Sequence, residues 1–425
     1  MEAVAALRQY WWGLTLCLAR GGTARSLRAR VSSPHTRVHL YSLALHLSLW
    51  QTPHYRSQTF RDDLAKNLRN VALPATGLRL SLVAASRALA YPFVFVLVPL
   101  LCLGGALLRW WSDGESLAAA FAQLLLAPTD WFSFWRVNCV LSSYHALRAG
   151  SEGYEMEDKL TFLEACERFG LPCSPWLKVP QIVCKHRNEE GGLGYSVFSN
   201  AVCGGDWIIQ KALQNAPEIA RLLPADAPLS TLRLVTSSRG ALSSARDACA
   251  ADVRVLSACW RAGRAGAMTD HSSLLFDVDL ESGQIRRGTS NAHWYMLGIR
   301  NALRCPWRSE GHTHSVHPDH GGVITGEYIP NMSEIRALVL RAHLMLCPAV
   351  PLVGWDVALT TEGVFLLEGN LSCNFFRASF DHAAYFDFVD EVFQRLDTIK
   401  SESEVPRGRV GALPCSTRQR LASVG

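Results

Sequence analysis

VGWDVALTTEGVFLLEGN, residues 353–370, is an apolar stretch with three polar interruptions: Asp356, Glu368 and Asn370. It reads as two antiparallel strands, Val353–Leu359 and Val364–Asn370, joined by Thr361-Glu362-Gly363. A three-residue hairpin loop needs a left-handed position, and Gly363 supplies it. That register sets Asp356 opposite Glu368 and Gly354 opposite Asn370. Strand side chains alternate, so the three polar groups share one face. Two carboxylates directly opposed repel each other. A divalent cation removes the penalty, and Asp, Glu and Asn offer only oxygen donors, the set that suits Mg2+. Magnesium keeps few protein ligands and completes its shell with phosphate oxygens, so a nucleotide is the expected co-ligand. A solvated edge hairpin is the alternative, and the flanking Trp355, Phe365 and Leu367 weigh against it.

A metal nucleotide needs a phosphate cradle. IVCKHRNEEGGLGYSVF offers a strand ending at Lys185, a loop with Gly191, Gly192 and Gly194, and a second strand from Tyr195. Backbone N–H groups of such a loop approach phosphate closely, and a lysine adds charge. No Gly-Lys-Ser/Thr precedes a helix, so this is not a Walker A loop. Further on, a strand at Trp207–Ile209 runs into Gln210-Lys211, groups able to read an adenine edge. TLRLVT sets Arg233 inside an apolar strand, where it must pair with a core acid or face an anion. Arg261 and Arg264 are further candidates for anion contacts.

The chain has 425 residues, 49% of them hydrophobic, and a net charge of +5. That length supports a large core and more than one unit. The modest charge is not a nucleic-acid footprint. Thirteen cysteines without a Cys-x-x-Cys pair argue against a disulfide scaffold or zinc ribbon and for a reducing compartment. Residues 3–61 lack acids and carry Arg8, Arg20, Arg25, Arg28, Arg30, Arg37, Arg56 and Arg61. Residues 1–62 therefore read as a basic extension: an organellar targeting segment, or a basic helical stretch on an anionic membrane. Residues 63–130 read as a helical apolar region. Within it YPFVFVLVPLLCLGGALL, Tyr91–Leu108, lacks charge over eighteen residues, near the length of a spanning helix. Pro92, Pro99 and Gly104-Gly105 weaken that reading, and Trp110-Trp111 suit an interfacial anchor. A buried helical hairpin is the alternative to membrane association through 91–108. The domain would then face a compartment containing ATP, or be organellar or cytoplasmic.

From Trp131 to 398 the pattern is that of a mixed helix and strand domain. MEDKLTFLEACERFGLP gives a helix with Leu160, Phe162, Leu163, Cys166 and Phe169 on one face, ended by Gly170 and Pro172. The tail, 399–425, lacks periodicity and reads as disordered. The histidines of EGHTHSVHPDH (His312, His314, His317, His320) read as a solvated loop rather than a metal site.

These pieces, in this order, resemble the ATP-grasp superfamily, and most closely the sugar-transfer-associated group related to α-L-glutamate ligases. The carriers are DKLTFLEACERFGLP, EEGGLG, IIQKAL, TLRLVT, HPDHGGVITGEYIP and the 353–370 hairpin, over about residues 135–395. The resemblance implies an α+β fold of two subdomains gripping a nucleotide. It implies Asp356, Glu368 and Asn370 on Mg2+, and Lys159 and Lys185 on ATP phosphates. It further implies Gln210, Lys211 and Leu213 around adenine, with Arg233 on the γ-phosphate or an acyl phosphate. Family chemistry activates a carboxylate with ATP for attack by an amine or related nucleophile, with small-molecule or glycan-linked substrates. LSCNFFR after Asn370 and Asp270-His271 depart from the family pattern. Both border the acceptor site, so a catalytically silent ATP-binding module or a membrane-anchored interaction protein stand as alternatives.

Overall fold

The strand Thr231–Ser238 (β3) is buried at every position. A strand hidden on both faces needs a layer on each side, and the computed structural model supplies both. It describes residues 2–19, 22–56, 59–68, 80–190, 193–242, 248–270, 273–290, 313–375 and 378–402. Gly191, Gly192, His271, His312 and residues 403–425 of the expected tail lie outside that set.

The main sheet holds seven antiparallel strands. Beyond β3 they are Val253–Ala262 (β4), Leu274–Val278 (β5), Ile285–Ser290 (β6), Thr313–His314 (β7), Leu352–Thr360 (β8) and Gly363–Asn370 (β9). Their order is β7-β6-β5-β4-β3-β8-β9. Gln181–Lys185 (β1) and Tyr195–Ser199 (β2) form a separate, largely exposed hairpin.

The helices are Glu2–Ala19 (α1), Ala24–Arg28 (α2), Pro34–Ser48 (α3), Phe60–Leu68 (α4), Arg87–Pro92 (α5), Val98–Asp113 (α6), Leu117–Leu126 (α7) and Trp131–Ala149 (α8). Lys159–Arg168 (α9), Pro217–Ala220 (α10), Met332–Leu346 (α11) and His382–Glu402 (α12) follow. Leu232, Leu234, Trp355 and Val357 share one core with Ile335, Val339 and Ala342 of α11. Val235 and Leu352 join a second core with Tyr41 of α3, Val140 of α8 and Val389 of α12. The sheet is thus sandwiched, and the N-terminal helices form part of its second layer.

That packing defines residues 1–62 differently from a detached extension. Arg37 pairs with Asp390 at 2.8 Å, both side chains 7% exposed. Tyr41 and Tyr144 donate to Asp397 at 2.5 and 2.7 Å, and the Ala24 N–H donates to the same carboxylate at 2.7 Å. The first helices and the last therefore share a hydrogen-bonded core. α12 also runs to Glu402, past the expected start of the tail.

Residues Arg87–Asp113 form one helix of 27 residues whose most apolar 18-residue stretch has mean hydropathy 2.2, long and apolar enough to cross a membrane by length and composition. Its prolines are accommodated rather than disruptive. A π-turn spans Phe93–Leu97, with Val98 N–H bonding Phe93 C=O. Pro99 has no N–H, so the carbonyls four and five residues back lose their helical donors. Those are Phe95 and Val94, and α1 replaces both donors: Trp11 Nε1 donates to Phe95 O at 2.9 Å and Tyr10 Oη to Val94 O at 2.8 Å.

Candidate functional site

The hairpin β8–β9 pairs Asp356 with Glu368 and Gly354 with Asn370, as its alternation predicts. The turn differs from the expected one. Thr360 pairs with Gly363, leaving a two-residue loop, Thr361-Glu362, and a bulge between Asp356 and Val357 restores the register. Gly363 lies in the strand at φ 124°. One fewer loop residue and one extra strand residue cancel, so the polar pair stays aligned.

Sheet order then builds the site. β8 lies beside β3, with Asp356 opposite Arg233, and Thr231 opposite Arg261 of β4. Alternation brings Thr231, Arg233, Arg261, Asp356 and Glu368 to one face. Arg233 Nε and Nη2 grip Asp356 at 2.5 and 3.0 Å. Arg261 Nη2 reaches the same carboxylate at 2.8 Å and its Nε lies 3.1 Å from Asp270. Thr231 Oγ1 accepts from Arg261 at 2.6 Å and donates to Asp270 at 2.5 Å. Arg233 is therefore a buried ion-paired residue, matched by a core acid rather than left facing an anion. Burial raises the Asp356 pKa, but Arg233 and then Arg261 outweigh it and hold the carboxyl at about 2. Gly354 permits this geometry: a Cβ there would lie 2.6 Å from Cys373 Cβ and 3.2 Å from Arg233 Cδ.

Asp356 and Glu368 form the floor of an open cleft of about 530 Å3. Lys159, Gln210, Lys211, Leu213, Arg261, Asp270 and Met268 also line it. Lys159 is the first residue of α9, fixed there because Asp158 caps the helix by accepting from Thr161 N–H at 2.9 Å. Its Nζ lies 3.6 Å from Glu368, and its side chain is 69% exposed. Lys211 pairs with Glu362 at 2.8 Å. The segment around Gln210 is not the expected strand: it makes isolated bridges, Asn200 with Trp207 and Trp176 with Gln210. Such irregular backbone leaves edge groups free of a ladder, and Gln210 and Lys211 are exposed.

Other candidates stand apart from the cleft walls. Lys185 lies on the exposed β1–β2 hairpin over the Tyr195 ring, and Gly194 turns that hairpin at φ 65°. Asn370 stands beside the floor, its Nδ2 donating to Glu368 Oε1 at 3.3 Å. His317 is buried, its Nε2 2.9 Å from Gly263 O, so it ties two loops together rather than being solvated. Arg264 pairs with Asp319 at 2.5 Å.

Sequence reasoning missed the support behind Asn370. Glu157 accepts from Leu371 N–H at 2.9 Å and is itself held by Arg56. Asn138 Nδ2 donates to Cys373 O at 2.9 Å, and Ser142 Oγ to Leu371 O. Helix α8 thus anchors the segment leaving the hairpin. Only the unusual polarity of Asn138, Ser142 and Ser143 within an apolar helix hinted at this.

The donor set can be tested against a hard cation. Glu368 and Asn370 present oxygens beside the cleft. A carboxylate has about four acceptor sites, and three on Asp356 receive arginine N–H groups. Glu368 and Asn370 fit Mg2+ directly; Asp356 fits through its remaining site or after an arginine shifts to another anion.

A sheet carrying this carboxylate hairpin, with a separate hairpin and a cationic cleft beside it, is the arrangement that the resemblance to ATP-grasp domains implies. Residues 195–377 match the family model described as sugar-transfer associated ATP-grasp, in agreement with the resemblance read from sequence. That match spans less than half of the chain. No curated protein matches the chain. Solved structures found similar include D-alanyl-alanine synthetase A from Vibrio cholerae, 11% identical with a TM-score of 0.25, covering 59% of this chain and 67% of that one. Another is the ATP-grasp ligase PsnB with a minimal precursor, 12% identical with a TM-score of 0.25, covering 63% and 69%.

Proposed function

We propose that the cleft binds Mg2+-ATP and that the protein is an ATP-dependent ligase joining a carboxylate to an amine or related nucleophile. The observation that carries this reading is the convergence of Lys159, Lys211, Arg261 and Glu368 on one cleft, in a domain of an ATP-utilising family. Gln210, Lys211 and Leu213 would border adenine, and Lys159 would face the phosphates, with Lys185 of the β1–β2 hairpin as a further phosphate contact. Glu368 and Asn370, with Asp356, would hold Mg2+, which when bound neutralises phosphate charge.

A substrate carboxylate oxygen would attack the γ-phosphorus, ADP would leave, and an acyl phosphate would form. The amine would then displace phosphate and lose a proton. Arg261, close to the cleft floor, would balance charge on the transferring group, with Arg233 behind it. Such catalysis is mostly positioning and charge neutralisation. The family description favours a glycan-linked substrate.

The second reading is a silent nucleotide-binding module. What favours it is Asp356, whose charge is already met by two arginines. We further propose that the protein attaches to a membrane through Arg87–Asp113. Val96, Leu97, Leu100, Leu103 and Leu107 are exposed there, and the carbonyls freed by Pro99 are satisfied from within, as lipid requires.

The test uses the full chain. Mg2+-ATP should raise its melting temperature, and ADP release should then appear on screening carboxylates with amines or glycan-linked acceptors. Stabilisation without any ADP release would select the silent module, and no stabilisation at all would remove both readings.

A further inference from the structure

A second pocket lies in the helical layer, between α3, α5, the π-turn, α7 and α8. Its volume is about 90 Å3, and it is partly open to solvent. Leu47, Trp50, Val94 and Leu124 give it apolar walls, and Arg136, His39 and His46 give it a polar end. Arg136 is 5% exposed. Its Nη1 donates to Ser42 Oγ at 2.6 Å and its Nη2 to His39 Nδ1 at 2.9 Å. Both partners are neutral; a guanidinium that donates to Nδ1 keeps the imidazole proton on Nε2. Among the described residues no carboxylate lies within ion-pair distance of Arg136. Burial depresses its pKa to about 10, with Asp130 opposing at longer range, and the group stays cationic. Asp130 is engaged elsewhere, accepting from Ser133 N–H and Oγ at 3.0 and 2.8 Å. His46 Nδ1 has no hydrogen-bond partner among the described residues.

A buried cation without a counter-ion is costly unless an anion meets it. Two features fix what that anion belongs to. A volume of that size suits a small head or a few methylenes, and its open side lets a chain leave. The wall formed by Ala90, Phe93, Val94 and Val98 is one side of the apolar helix whose other residues, Val96, Leu97 and Leu100 among them, are exposed. The occupant is therefore small and anionic at Arg136 and apolar where it leaves.

We propose that this pocket binds the anionic head of a single-chain amphiphile, a fatty carboxylate or alkyl phosphate, with Arg136 as its anchor and the chain running out along the helix Arg87–Asp113. A charge-assisted contact from the guanidinium to carboxylate or phosphate supplies the specificity. The proposal is independent of the nucleotide reading, because the pocket shares no lining residue with the cleft.

The test is native mass spectrometry of the full chain in non-ionic detergent, with dodecanoate, dodecyl phosphate and methyl dodecanoate as probes. One dodecanoate or dodecyl phosphate should bind per chain, and the better of the two names the head. Methyl dodecanoate should bind at least about tenfold more weakly, and Arg136→Met should remove that preference by a similar factor, as truncation of a buried charge pair does. Arg136→Lys should keep part of it. Equal binding of acid and ester, or a preference untouched by Arg136→Met, would overturn the proposal. If Arg136→Met does not fold, Leu124→Trp fills the pocket and leaves Arg136 in place; unchanged dodecanoate binding by that variant would overturn it equally.

Discussion

Arg233 and Arg136 are buried to nearly the same degree, 6% and 5% exposed, in two halves of one molecule. Arg233 sits mid-strand with Asp356 directly opposite, and Arg261 closes on the same carboxylate. Arg136 sits in a helix, hydrogen-bonds Ser42 and His39 among the described residues, and lines an apolar pocket. The sheet fixes its charges internally, so the floor of the candidate cleft is set before any ligand arrives. The helical layer leaves one charge to be met from outside. Burial alone does not tell structural from ligand-binding arginines; the partner does.

The comparison can be broken at its strongest point first. Asp356→Asn strips the counter-charge from two arginines and should cost about 3–5 kcal/mol in urea unfolding. A loss below about 1 kcal/mol would mean that the pair is not the keystone of the site. The pH dependence is next in size. The folded pKa of Asp356, about 2, lies below the unfolded value of about 3.9. A depressed carboxylate contributes stability above the unfolded value and loses it as pH falls through the folded one. Unfolding free energy should therefore drop between about pH 4 and pH 2, by up to about 2 kcal/mol, and Asp356→Asn should flatten that part of the curve. Arg136→Met should have the smallest effect on stability, within about 1 kcal/mol or slightly stabilising, because an unpaired buried charge gives way to an apolar side chain of similar length. A loss as large as that of Asp356→Asn would erase the contrast between the two arginines.

Much of the hairpin could be read from sequence because its alternation is strict. Period two sets which face each side chain takes, and the pairs Asp356–Glu368 and Gly354–Asn370 hold because the bulge offsets the shorter turn. The turn itself could not be read: Gly363 suits either a loop or a strand end, and a bulge hides the difference. The partner of Arg233 was illegible for another reason. It depends on β8 lying beside β3, and 123 residues separate Arg233 from Asp356. The N-terminal helices show the same limit. Their arginines looked like a free basic extension, yet Arg37 is matched by Asp390, 353 residues later. Composition reports what a segment carries, whereas contact order decides what it meets. Lys159 stands at the other extreme: Asp158 beside it is a helix cap whose spacing to Thr161 is local, and the lysine follows it into the cleft.

The most direct test of the nucleotide site is calorimetric titration of ATP into the full chain, with and without Mg2+, for the wild type and Glu368→Gln. Glu368 is 35% exposed and its ion pair with Lys159 is open to solvent, so the substitution should leave the fold intact. The wild type should bind ATP at one site per chain and at least about tenfold more tightly with Mg2+, a gain of about 1.4 kcal/mol. Glu368→Gln should lose most of that gain. Magnesium-dependent binding of equal strength in both proteins would contradict the assignment of the β8–β9 hairpin as the metal end of an ATP site.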